Sequence, residues 1–204
     1  MRERLARFAL PLLAVLAAHQ LGGAAVIHAK AWLAPRLIEA AYRESAARGG
    51  AAVAPWPWAD TWPVARLRVP ALGIERLVLS GDGGSALAFG PGHSRASAMP
   101  GAAGEVVIGG HRDTHFRFLR DLDPGLEVLL ALPDGRQRRY RVVKREVVDS
   151  RRQRLVSGDS ADRLLLVTCF PFDALHSGGP LRLVVIAYPR DTERSATGAG
   201  HWQR

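Results

Sequence analysis

With 204 residues, 48% of them hydrophobic, the chain can bury a sizeable core, enough for one domain of ordinary size plus extra segments. Its formal charge of +9 is almost wholly arginine, since Lys30 and Lys144 are the only lysines. No nucleic-acid module or basic helix accompanies that excess, so a nucleic-acid partner is not expected.

Arg2, Arg4 and Arg7 precede an apolar stretch over residues 8–27 that is broken only by His19 and Gln20. That is about the length that crosses a bilayer, and it is longer than the usual core of a cleaved signal. Residues 1–28 are therefore expected to form a single-pass anchor in the inner membrane. The arginines on its N-terminal side put the rest of the chain on the extracytoplasmic, periplasmic side. Gly22, Gly23, Ala24 and Ala25 also resemble a cleavage site, the alternative to a retained anchor.

Residues 29–63 are expected to form a helical and Trp/Pro-rich linker. Trp32, Leu33, Leu37, Ala40 and Ala41 follow helical spacing, and Pro35 is expected to kink this helix or start a second one. Beyond Gly49 and Gly50, the run Pro55-Trp56-Pro57-Trp58-Ala59-Asp60-Thr61-Trp62-Pro63 reads as a stiff extended segment. Its tryptophans are expected to pack against the domain, with peptide or glycan binding as the other use.

From residue 64 the pattern changes to short strands separated by Gly, Pro and Asp turns. Strands are expected at 64–69, 74–79, 105–109, 126–132, 138–148, 163–168 and 181–188, with one helical turn at 85–89. The fold class is all-β, a sandwich or barrel. The arginine-rich strand near 136–145 carries charge on both faces, which predicts one solvated face and a position near a sheet edge. The tail over 190–204 is expected to be disordered.

Cys169 is the only cysteine, and it ends the run Leu164-Leu165-Leu166-Val167-Thr168-Cys169. It stands where a buried strand opens into a loop. In an exported protein an unpaired cysteine reads as an intermolecular bridge or a reactive thiol, against the plainer reading of a small buried hydrophobe. A thiol needs a base or positive charge to become a good nucleophile, and His93, His111, His115 and His176 are the candidates. His111 follows Val106-Val107-Ile108-Gly109-Gly110, so it too lies just past a buried strand. Arg182, 13 positions after Cys169, is the one charge in the strand Leu181-Arg182-Leu183-Val184-Val185. It reads either as an outward-facing surface arginine or as a group holding an anion.

Cys169 after Leu165-Leu166-Val167-Thr168, His111 58 positions earlier and Arg182 on the following strand together resemble the catalytic trio of the sortases. The resemblance runs from about residue 64 to 189. It implies an eight-stranded β-barrel with short helices behind an N-terminal transmembrane helix. The Trp/Pro run and Gly109-Gly110-His111-Arg112-Asp113-Thr114-His115-Phe116 look most like the sortase subgroup of Gram-negative bacteria. Leu165 stands where the family signature usually has Thr, and Phe170 where it often has Tyr; these departures bear on substrate preference, since no catalytic atom is lost.

The resemblance implies a membrane-anchored cysteine transpeptidase without a cofactor. Cys169 would attack a C-terminal sorting signal similar to Leu-Pro-X-Thr-Gly, and the thioacyl-enzyme would pass to an amine acceptor. His111 would be the general acid and base, and Arg182 would hold substrate and oxyanion. Thr168, Asp113 and His93 are expected near the substrate. Two other readings compete: a zinc-dependent hydrolase using His111, His115 and Cys169, and a non-enzymatic exported barrel that binds peptide or glycan. No metal site is expected on the sortase reading.

Overall fold

The four apolar residues before Thr168 are apolar on alternate sides for two different reasons. The structure is a computed structural model that describes residues 2–152, 161–174 and 178–190. His176 and all of the expected tail except Arg190 lie outside the described residues. Among the described residues eight strands form a closed barrel: β1 (Pro63–Val69), β2 (Ile74–Ser80), β3 (Gly92–His93), β4 (Glu105–Gly109), β5 (Glu127–Ala131), β6 (Gln137–Asp149), β7 (Arg163–Cys169) and β8 (Leu181–Pro189). Around the barrel the order is β1-β2-β3-β4-β7-β8-β6-β5, and β5 closes on β1. The β2/β3 and β4/β7 pairs are parallel, and the others are antiparallel.

Strand side chains alternate between faces. On β7, Leu164 and Leu166 point into the barrel with Leu67, Ile108, Phe116, Leu130, Tyr140 and Val185. Leu165 and Val167 point outward and pack with Val107, Val148 and Val184, with Ile186 alongside. Both faces of this strand are buried, so it reads as a continuous apolar run rather than an alternating one.

The expected edge near residues 136–145 is not there. β6 pairs with β5 on one side and β8 on the other. A register shift between Val142 and Lys144 reverses the inside–outside alternation partway along, which is why its charges fall on both sides of a simple two-residue pattern. Three of its basic side chains are locally paired: Arg138 with Asp162 at 2.6 Å, Arg145 with Asp123 at 2.5 Å and Lys144 with Glu146 at 2.5 Å.

One continuous helix, α1 (Arg2–Ala47), precedes the barrel and is joined to it by residues 48–62. Pro35 lies inside it, so no second helix starts there. The carbonyl that loses its helical donor belongs to Ala31, an exposed residue where water can serve instead. Ala34, Ile38, Ala41, Tyr42 and Ser45 form a buried stripe at three- and four-residue spacing. Tyr42 donates to the Ala131 carbonyl at 3.0 Å, and Arg66 pairs with Glu39 at 2.8 Å and with Glu75. Burial works against the Arg66 charge, but hydrogen bonds to the two glutamates outweigh it and hold its pKa above the usual value. Among the described residues no helix is long and apolar enough to cross a membrane.

The Trp/Pro segment fastens helix to barrel. Trp56 meets Phe89 edge to face at 5.2 Å, Trp62 packs on the main core, and Thr61 donates to the Ser80 carbonyl at 2.8 Å. Trp58 remains 83% exposed.

Candidate active site

Three neighbouring strands converge at one end of the barrel. Cys169 is the last residue of β7 and is directly paired with Arg182, the second residue of β8. Residues facing each other across an antiparallel pair project from the same side, so Cys169 and Arg182 share the outer face with Val167, Leu165 and Val184. On the other flank Val107 pairs with Leu165 and Gly109 with Val167. His111 lies two residues past that pairing, at the same end of the barrel as Cys169, directly after Gly110, which is bonded to Val167 and Thr168. Cys169 is a free thiol, partly buried, and His111 is exposed.

The inner face supplies the tether. Thr168 points into the barrel, is 2% exposed, and donates its hydroxyl to the Gly110 carbonyl at 2.7 Å. The Gly110 amide donates to the Val167 carbonyl at 3.0 Å. The residue before His111 is thus bonded twice to the two residues before Cys169. A side chain at Gly110 would put its Cβ 2.7 Å from the Phe116 ring, so only glycine fits. Thr168 therefore acts on the site through the backbone of the opposite loop.

Arg182 is half-buried, and its Nη1 donates to the carbonyls of Gly179 at 2.5 Å and Leu181 at 2.9 Å. Among the described residues no carboxylate pairs with it, which leaves its charge available to an anion at the rim. Its neighbour across β6, Val148, belongs to the outer apolar cluster. The wall next to the guanidinium is therefore apolar, and a charge there is less screened than in open water.

The expected substrate neighbours separate. His93 is fully buried, pairs with Ile108 and faces the barrel interior, the side opposite Cys169. Its Nε2 donates to the Ala98 carbonyl at 2.9 Å, and its buried Nδ1 has no hydrogen-bond partner among the described residues. Burial pushes its pKa below the ordinary value. Asp113 is 70% exposed and accepts from Arg112 Nε at 3.0 Å. His115 lies beside a cleft against α1 with Pro35, Ile38 and Arg76. Burial, then the charges of Arg76 and His111, lower its pKa. Among the described residues no three His, Cys, Asp or Glu side chains are grouped to hold a metal ion, so the zinc reading built on His111, His115 and Cys169 gains no support.

Arg112 went unnoticed in the sequence. Its side chain is 8% exposed, and it donates to the carbonyls of Pro171 at 2.6 Å and Ala174 at 2.7 Å. With Asp113, Arg117, Arg120 and Phe172 it also lines a cleft of about 250 Å³. The only signal was an arginine next to a candidate histidine, which does not distinguish a surface charge from a buried one.

Comparison with known proteins agrees with this architecture. A family model described as the sortase domain matches residues 67–190. The chain is similar to Sortase D of Bacillus subtilis (strain 168), 31% identical over 120 residues that cover 58% of this chain and 60% of that protein. It also resembles the structure of Sortase A from Corynebacterium diphtheriae, with a TM-score of 0.58 and 26% identity over 68% of this chain and 65% of that one. Sortase C-1 from Actinomyces oris gives a TM-score of 0.53 and 25% identity over 64% and 74%. The chain thus spans less than two thirds of the first two relatives, and none of the three assigns it to a subgroup. A barrel of this order, with a matched domain covering more than half of its length, makes the chain a member of the sortase family.

Proposed function

We propose that this sortase is a cysteine transpeptidase with Cys169 as nucleophile, His111 as general acid and base, and Arg182 as oxyanion and substrate ligand. The observation that carries the reading is the register: Gly109 against Val167 and Cys169 against Arg182 bring three strand ends to one outer rim.

In the proposed reaction the Cys169 thiolate attacks the Thr–Gly carbonyl of a sorting signal similar to Leu-Pro-X-Thr-Gly. The carbonyl oxygen becomes an oxyanion, and Arg182 hydrogen-bonds to it as charge develops. His111 gives its proton to the departing glycine nitrogen, the C–N bond breaks, and a thioester remains on Cys169. An incoming amine then attacks the thioester, His111 takes its proton, and the thiolate leaves. The apolar outer cluster of Val107, Leu165, Val167 and Val184, itself buried, underlies the strand end that carries the thiol.

The membrane and compartment readings belong here too. The arginines at 2, 4 and 7 and the apolar stretch that follows support an inner-membrane anchor with the barrel on the periplasmic side. Protease accessibility in spheroplasts tests this, because a barrel protected until the membrane is lysed would contradict it. The Gram-negative subgroup, supported by the Trp/Pro run and the residues around His111, is tested by ranking variant sorting peptides.

Cys169→Ala tests the chemistry. Transfer of a sorting peptide to an added amine is expected to vanish, while peptide binding and the thermal transition stay close to those of the parent. Undiminished cleavage in the alanine variant would refute the proposal.

A further inference from the structure

The turn that follows Cys169 rests on the main core through Phe170 and Phe172, but among the described residues its main-chain bonds to the barrel are few. Pairing of β7 with β8 ends at Cys169, and the last backbone bond across the pair runs from the Phe170 amide to Leu181 at 3.0 Å. Residues 171–174 then form a turn whose own closing bond, from the Ala174 amide to Pro171, is long at 3.4 Å. Both ends of that turn are met by one side chain from a segment about 60 residues earlier. Arg112 bridges the Pro171 and Ala174 carbonyls at 2.6 and 2.7 Å, and its third donor goes to Asp113.

We propose that Arg112 is a positioning residue that latches the turn after Cys169 to the segment carrying His111. A guanidinium at 8% exposure costs free energy unless its donors are met. Here two of the three bonds go to main-chain carbonyls of one turn, so moving the turn leaves a buried charge short of acceptors. The planar fork is what spans two carbonyls three residues apart, which a lysine ammonium cannot do with the same rigidity. Because Arg112 directly follows His111, the latch sets where the Cys169 loop lies relative to the acid–base segment. It acts together with the Thr168–Gly110 bond on the inner face, but at the outer loops. Asp113 contributes less, since its carboxylate is mostly in water.

The catalytic consequence rests on the transpeptidase reading; the latch itself does not. The test compares the full chain with Arg112→Ala and Arg112→Lys by hydrogen exchange and by transpeptidation of a Leu-Pro-X-Thr-Gly-type peptide to an added amine. Exchange is expected to rise at amides within 170–174 while β4, β7 and β8 keep their protection. The turnover number is expected to fall at least about ten-fold with KM little changed, because misplacing reacting groups costs rate more than binding. Millimolar guanidinium is expected to restore part of the alanine variant's turnover, and sodium chloride at equal ionic strength is not. If the alanine variant does not fold, the lysine variant carries both readouts. Turnover within about two-fold of the parent, or exchange rising equally in loop and barrel, would overturn the latch. A parent protein that forms no Cys169 adduct would sink the transpeptidase reading instead, while the exchange comparison would still decide the latch.

Discussion

The two faces of β7 divide the labour at this site. Inside, Leu164, Leu166 and Thr168 join a sealed core, and the one hydroxyl among them is spent on the Gly110 carbonyl. Outside, Leu165 and Val167 make a smaller apolar patch that ends in a free thiol beside an arginine. The two histidines beside β4 show the same contrast. His93 faces inward, fully buried and hydrogen-bonded to Ala98, whereas His111 stands exposed past the strand end. Alternation by two residues is therefore enough to separate groups that build the barrel from groups free to react.

The outer face can be broken first at Arg182. Arg182→Lys keeps the charge but loses the planar fork, so turnover is expected to fall at least ten-fold, about 1.4 kcal/mol in the barrier. Steady-state kinetics with a sorting peptide measure this, and near-normal rates would reduce Arg182 to a support for the carbonyls of Gly179 and Leu181.

The inner face is tested by Thr168→Val, which keeps the shape and removes the hydroxyl. Gly110 is half-buried, so water can partly replace the lost donor, and a loss of about 1 kcal/mol is expected in denaturant unfolding. The variant should also slow turnover, because the tether to the residue before His111 is gone. Unchanged stability would mean that the bond does not hold the two strand ends together.

The smallest effect is expected at His93. Burial keeps this ring neutral in the fold at pH values where the unfolded chain already binds a proton. Its contribution to stability is therefore complete above about pH 6.5 and is lost progressively as pH falls below that value. His93→Gln can still donate to Ala98 but cannot titrate, so the acid-side slope of the melting temperature should become shallower. His115, lowered in the same direction, keeps part of the slope in the variant. An unchanged slope would contradict the inward, sealed placement of His93.

The strands carrying the candidate trio were legible because each is a short apolar run ending in a polar or glycine residue, as at Val106–Gly109 and Leu164–Cys169. β3 was not, since two residues bonded between β2 and β4 leave no period to read. The shift at Val142 hid the true alternation of β6 and suggested an edge that barrel closure removes. His93 looked like a site residue because a histidine after Gly90-Pro91-Gly92 reads as loop, and only the pairing with Ile108 shows which way it faces. Arg112 was invisible for a similar reason: its acceptors are main-chain carbonyls, which no side-chain pattern announces.

Intact-mass spectrometry of the protein, after incubation with a Leu-Pro-X-Thr-Gly-type peptide and no added amine, addresses the acyl-carrier role of Cys169 directly. The account predicts a gain equal to the N-terminal peptide fragment held as a thioester, mapped to Cys169 and released by an added amine. Cleavage of the peptide with no such adduct, continuing in Cys169→Ala, would contradict it.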